Sequence, residues 1–314
     1  MVVRVDTTTI CGTDLHILQG DVAAVTDGRI LGHEAVGTVT AIGDAVRAFA
    51  VGDRVLVPAI TQCGRGMPSH CQTVGGIGWI FGHLIDGTQA ELVRVPYADT
   101  SLYAVPPEVT DEQAIFLADS LPTGYEVGVL AGRVRPGDTV AVVGAGAVGL
   151  AAILTTGLWG AAKVIAVDSD KFRLEKALEF GATDAFEAGP DTRADVLGLT
   201  DGLGVDVAIE AVGYPETLRT AASLVRPGGR IANIGVHGVP VELPMQEMWI
   251  RNLTLTMGLV DTVSIPTLLK MVASGRIPAE HMGTHRFTFG EMEEAYEVFA
   301  NAAANSALKV VITP

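Results

Sequence analysis

Positive charge and cysteine are both scarce in this 314-residue chain, and each scarcity narrows what the protein can be. Lys and Arg total 21 against 36 Asp and Glu, a formal net charge of −15, so nucleic acid and anionic membrane surfaces are excluded as partners by repulsion. Three cysteines in a chain this long cannot form a disulfide framework, which places the protein in a reducing cytoplasm. Internal repeats, low-complexity tracts and charge blocks are missing, so neither a solenoid nor a disordered tail is expected. The opening Met1-Val2-Val3-Arg4-Val5-Asp6 lacks the apolar core of a signal peptide.

What is abundant is apolar residue and glycine. Hydrophobic residues make up 48% of the chain, the mean hydropathy is +0.38, and there are 37 glycines. Thr139 to Ala162 carries no charge and is long enough to span a bilayer. Five glycines and a β-branched opening instead divide it into a buried strand, a turn and a buried helix. No membrane span is expected.

Two textures follow one another along the chain. The first hundred or so residues read as short strands between turns, among them Ala35–Ile42, a strand leading to Pro58, and Ala90–Val95, which together suggest an irregular β barrel. After Pro122 strands and helices alternate. Thr139–Val143, Lys163–Val167, Val205–Ala211 and Arg230–Ile234 are strand-like, whereas Ala147–Trp159, Lys171–Phe180 and Glu216–Val225 are helix-like. That alternation predicts an α/β unit with a parallel sheet covered on both faces. The tail returns through mixed structure to a last strand, Leu308–Ile312.

Gly144-Ala145-Gly146-Ala147-Val148-Gly149 forms a G-x-G-x-x-G turn between the first of these strands and its helix, the context in which the motif binds a dinucleotide. Gly144 permits the turn, Gly146 admits a pyrophosphate, and Gly149 lets helix pack on strand. Asp168 ends the second strand at the distance expected for the residue that binds the adenosine ribose hydroxyls, and its charge favours NAD over NADP. Arg173 could flank the adenine or be an ordinary exposed helix arginine.

Two N-terminal segments concentrate metal-binding side chains: Cys11-Gly12-Thr13-Asp14-Leu15-His16 and Gly32-His33-Glu34-Ala35-Val36-Gly37. A thiolate, an imidazole and a carboxylate suit zinc. On spacing alone, Cys11 could equally be a small buried hydrophobe and His33-Glu34 a satisfied polar pair. The longer pattern Gly32-His33-Glu34-x2-Gly37-x5-Gly43-x2-Val46, with the cysteine motif upstream and the glycine turn downstream, resembles the zinc-containing alcohol dehydrogenases of the medium-chain dehydrogenase/reductase superfamily over nearly the whole chain.

That resemblance implies an α/β fold of two domains: a GroES-like β barrel from residues 1–120 and 262–314, and a Rossmann NAD-binding domain from 121–261. It implies one catalytic zinc held by Cys11, His33 and Asp119, with Glu34 as a nearby carboxylate; Asp119 or Ser120 as a helix N-cap is the alternative on local grounds. By resemblance Thr13 bonds the alcohol oxygen and His16 passes its proton to solvent, although His16 could be a plain surface histidine. Val212, Ile234 and Val236 are expected at the nicotinamide half of the cofactor, and Lys309 at its pyrophosphate or simply solvated. The implied reaction moves hydride between a small alcohol and NAD, giving an aldehyde or ketone, in a homodimer or homotetramer.

Two departures from the family stand out. The structural-zinc lobe keeps only Cys63 and Cys71, with His70 beside the latter, so a structural zinc is expected to be absent. About two dozen residues that family members have before Val2 are not matched, which is expected to uncover a barrel edge. A polyol or amino-alcohol dehydrogenase and a non-catalytic NAD-binding relative are the alternative readings.

Overall fold

The computed structural model describes residues 1–63 and 78–314 and divides the chain into two compact units, Met1–Pro122 with Asp261–Pro314, and Thr123–Val260. In chain order the first stretch contributes β1 (Val2–Thr9), α1 (Gly12–Leu18), β2 (Ala35–Ala41), β3 (Arg54–Val57), β4 (Leu92–Arg94) and β5 (Tyr103–Ala104). The inserted unit contributes β6 (Thr139–Val143), α2 (Ala147–Trp159), β7 (Lys163–Asp168), α3 (Lys171–Glu179), β8 (Asp184–Glu187), β9 (Val205–Glu210), α4 (Pro215–Leu224), β10 (Val225–Asn233) and β11 (Thr254–Met257). The returning segment adds β12 (Gly283–Thr288), α5 (Met292–Ala300) and β13 (Lys309–Thr313).

The discontinuous unit is built on a seven-stranded sheet, β12-β13-β1-β2-β3-β5, with β4 also on β1. Val3 and Val5 alternate inward from β1 and meet Val39, Val55, Val57 and Phe81 in one apolar core. β1 is covered along both sides, by β2 on one and by β4 and β13 on the other. The expectation of an uncovered edge is therefore not met at β1: the 92–94 segment and the C-terminal strand fill the positions beside it. Cys71 and His70 of the shortened lobe lie outside the described residues.

The inserted unit is a six-stranded parallel sheet in the order β11-β10-β9-β6-β7-β8. Counted within the unit this is 3-2-1-4-5-6 read from the far edge, the Rossmann order. Near-continuous apolar strands, such as Val140–Val143 and Val164–Val167, are what burial on both faces demands. The uncharged stretch from Thr139 resolves into β6, the glycine turn and α2, and α2 stops at Gly160 in a left-handed cap. No helix among the described residues is long and apolar enough to cross a membrane. Most boundaries shift from the sequence expectation by only a residue or two, and one shifts further. β10 begins at Val225 rather than after the Pro227-Gly228-Gly229 turn, because that turn is absorbed as a register shift between Val225 and Arg230.

Candidate metal centre and dinucleotide turn

Four side chains converge inside the discontinuous unit. One potential ligand atom each from Cys11, His33, Glu34 and Asp119 lies within 4.8 Å of all the others. Cys11 is the residue just before α1, so its side chain sits where the chain turns from β1 into the helix. His33 and Glu34 immediately precede β2, and two hydroxyls clamp that corner: Thr8 and Thr88 donate to the Glu34 carbonyl at 2.7 and 3.0 Å. Gly32 before them has φ +86°, and a Cβ there would press on Gln89 and Thr88, which accounts for the glycine in Gly32-His33-Glu34.

Asp119 Oδ2 is 3.7 Å from Cys11 Sγ and 3.6 Å from His33 Nε2. Glu34 Oε1 lies 3.9 Å from the same imidazole nitrogen, while Glu34 Oε2 is buried and makes no hydrogen bond. Burial opposes a charge on His33, yet hydrogen bonding to Asp119 and Cys11, with their negative charge, holds its pKa well above the ordinary 6.5. The pocket thus draws a proton onto His33, and a cation of higher charge would satisfy the same donors. A soft thiolate, an imidazole and hard carboxylates in one partly buried cluster fit zinc, and the bare Glu34 oxygen fits an added positive centre.

Lys309 corrects the sequence expectation. It is 2% exposed, and its ammonium ion-pairs with Glu34 while reaching Thr9 Oγ1 and the Ile10 carbonyl, both at 3.4 Å. Burial works against that charge, but Glu34, then Cys11 and Asp119, more than restore it. A lysine committed in this way is not available for a pyrophosphate. Nor is it solvated. The strand periodicity that puts Val310 and Ile312 in the core marks Lys309 only as a neighbour of buried residues, and its partner is 275 positions away.

Asp14 was not singled out in the sequence, although it is fully buried. Its carboxylate accepts from the backbone N–H of Cys11 at 2.9 Å and of Gly32 at 3.3 Å, and its Oδ1 lies 3.9 Å from His33 Nδ1. An acid three residues into a helix, after a cysteine at the cap, was the available signal. Thr13 places its hydroxyl 3.8 Å from Cys11 Sγ. His16 is half-exposed, with Nδ1 2.7 Å from Asp21 Oδ2. Trp79 was also missed; it meets His33 edge-on at 6.3 Å and stacks on His83 at 4.4 Å.

The inserted unit carries the second constellation. Gly144 has φ +98°, and a Cβ on Gly149 would overlap the Gly144 carbonyl oxygen, so the turn and α2 approach more closely than a side chain permits. Gly146, the residue before α2, has open space where a Cβ would be, and no side chain caps the helix. An anion can therefore reach the N–H groups of that terminus. Asp168 ends β7 with Oδ2 accepting from Ala145 N at 2.7 Å and Oδ1 from Asp170 N at 2.9 Å. Arg173 is half-buried on α3, its Nε buried and without a hydrogen bond. Val212 and Val236 are exposed at the ends of β9 and β10, whereas Ile234 is buried. Glu210 holds this region: its Oε1 accepts from the N–H groups of Val212 and Gly213 and from Thr217 Oγ1, at 2.7–2.9 Å.

Comparison with known proteins adds the following. Residues 1–107 match the family described as alcohol dehydrogenase GroES-like domain, and residues 147–274 the family described as zinc-binding dehydrogenase. An alcohol dehydrogenase of Cupriavidus necator is 35% identical over 99% of this chain and 91% of its own length. An NADP-dependent isopropanol dehydrogenase of Thermoanaerobacter brockii is 35% identical over 96% of this chain and 89% of its own. Among solved structures, a zinc-dependent alcohol dehydrogenase of Streptococcus pneumonia in its apo form superposes with a TM-score of 0.93 at 47% identity, covering 99% of this chain and 90% of that one.

Proposed function

The chain belongs to the zinc-binding alcohol dehydrogenases of the medium-chain superfamily, and on that premise we propose that it oxidises small primary or secondary alcohols with NAD, or runs the reverse reduction. The observation that carries this reading is the convergence of Cys11, His33 and Asp119 within one partly buried cluster. Cys11 and Asp119 supply two negative charges to offset a divalent ion, and His33 supplies a neutral nitrogen. When bound, zinc gives Lewis acidity to an alcohol oxygen and NAD takes up the hydride.

The chain's own residues do the rest. Burial pushes the Glu34 carboxyl above its ordinary pKa, and the Lys309 ammonium opposes that shift and offsets the pocket's negative charge. Asp14 holds the Cys11 main chain and faces His33 Nδ1, an arrangement that leaves Nε2 for the metal. The Thr13 hydroxyl would accept the alcohol's hydrogen bond, and His16, oriented by Asp21, would carry the proton to solvent through Nε2. In the other unit the open backbone at Gly146 would take the pyrophosphate, and Asp168 the ribose hydroxyls. The Asp168 carboxylate accepts from two backbone N–H groups at the end of β7, a placement that supports NAD, since a 2′-phosphate would meet an acidic side chain there. One zinc per subunit and a homo-oligomer in the cytoplasm complete the proposal.

The test is a panel of primary and secondary alcohols, polyols and amino alcohols with NAD and with NADP, alongside zinc analysis of dialysed protein. NAD-dependent oxidation of simple alcohols that vanishes on chelation and returns with zinc is expected. Turnover confined to polyols or amino alcohols would replace the substrate class. No turnover and no zinc would leave a nucleotide-binding protein without this chemistry.

A further inference from the structure

Behind the metal ligands, a hydrogen-bonded chain leads away from Asp14 to the C-terminal part of the sequence. The Gln89 side-chain amide donates from Nε2 to Asp14 Oδ2 at 3.1 Å and to the Thr9 carbonyl at 3.2 Å. Its Oε1 accepts from the Tyr296 hydroxyl at 2.7 Å, across 207 residues of sequence. An amide has one acceptor and two N–H donors, so these three bonds fix which way it faces. If it turned over, Oε1 would point at the Asp14 carboxylate, two acceptors against each other. The Tyr296 hydroxyl, donating to Oε1, completes this set and tethers the amide from the other side. Burial, and then the nearby Asp14 charge, push the phenol pKa above its ordinary value, so the hydroxyl stays a donor.

Asp14 in turn holds one end of the candidate metal pocket through the Cys11 N–H and faces the other, its Oδ1 3.9 Å from His33 Nδ1, a buried atom with no hydrogen bond of its own. A carboxylate facing Nδ1 sets the imidazole tautomer that leaves Nε2 for a metal. We propose that Gln89 and Tyr296 are positioning residues that fix Asp14 behind Cys11 and His33, so that metal retention and ligand geometry depend on a phenol carried by α5. The inference rests on the zinc reading given above. Neither residue touches the pocket, and neither belongs to the motifs by which the sequence announces it.

The experiment compares full-length wild type with Tyr296→Phe, Gln89→Leu and Met292→Ala. Met292 packs in the same cluster as Tyr296 and serves as the packing control. Two quantities are read: the rate at which a chelator strips zinc, and the visible absorption of the cobalt-substituted protein, which reports ligand geometry independently of turnover. Tyr296→Phe and Gln89→Leu are expected to lose zinc about tenfold faster and to shift the cobalt bands. Met292→Ala should lower Tm with the cobalt spectrum unchanged. Wild-type stripping rates and spectra in both relay variants would overturn the proposal, whatever happens to Tm. A wild type that takes up no cobalt, or one whose uptake survives Cys11→Ser, overturns the metal reading and the relay with it.

Discussion

The two constellations are built on opposite plans. The dinucleotide turn is local and made of backbone: Gly144 to Gly149 are consecutive, and Asp168 follows at the end of the next strand. The metal pocket is non-local and made of side chains, drawing Cys11, His33, Glu34, Asp119 and Lys309 from four separate stretches. A local site works wherever one strand–turn–helix unit forms. A dispersed site exists only when the whole unit has closed, and each member then depends on the charge of the others. The lesson is that the first plan tolerates change outside its motif, whereas the second is exposed to changes anywhere along the chain.

The sharpest way to break the comparison is His33→Ala. Turnover should fall by about a thousandfold or more, zinc should drop to near zero, and NAD affinity by fluorescence should be unchanged; a parallel loss of NAD binding would show that the two sites are not independent. Next comes Lys309→Met, which strands the Glu34 carboxylate in a buried pocket and should cost about 3 kcal/mol in chemical denaturation. Adding Glu34→Gln should recover part of that cost, and a single variant as stable as wild type would mean that the pair is not coupled. Gly146→Ala tests the other plan. Because an added methyl meets nothing in the protein, Tm should hold while NAD affinity drops roughly tenfold or more by calorimetry. The smallest effect belongs to Asp168→Ser, which should narrow the kcat/KM preference for NAD over NADP by about tenfold and leave zinc content alone; no change in preference would remove Asp168 from cofactor selection.

The difference in plan also explains what could be read from the sequence. Much of the inserted unit was legible, four of its six strands and Ala147–Trp159 as its first helix, because those elements are declared by adjacent residues; the short strands β8 and β11 and the 192–198 helix were not read. Cys11 and His33-Glu34 were visible as dense chemical segments, but their meeting with Asp119 was implied only by the family resemblance, since spacing carries no information about which loops converge. Lys309 was misjudged for that reason. A lysine in a terminal strand reads as solvated or ligand-facing until the strand is seen beside β1, with Glu34 across from it. Asp14 and Gln89 escaped notice because side-chain hydrogen bonds, to backbone N–H groups for Asp14 and to the Thr9 carbonyl and the Asp14 carboxylate for Gln89, leave no periodic trace. The β10 start was missed because a proline-glycine turn signals an end locally, and only the partner strands show it to be an irregularity within one strand.

The discontinuity of the first unit bears on how the protein is made. Synthesis runs from the N-terminus, and domains generally fold as they emerge. The 123–260 unit has all of its strands in one unbroken stretch and can fold while the ribosome is still at work. The first 122 residues cannot follow suit, because β1 lacks β13 and Glu34 lacks its counter-charge until Lys309 has been added. The nascent chain therefore carries Glu34 without its counter-charge, and β1 with β2 and β4 but without β13, until the 309–313 strand has been made.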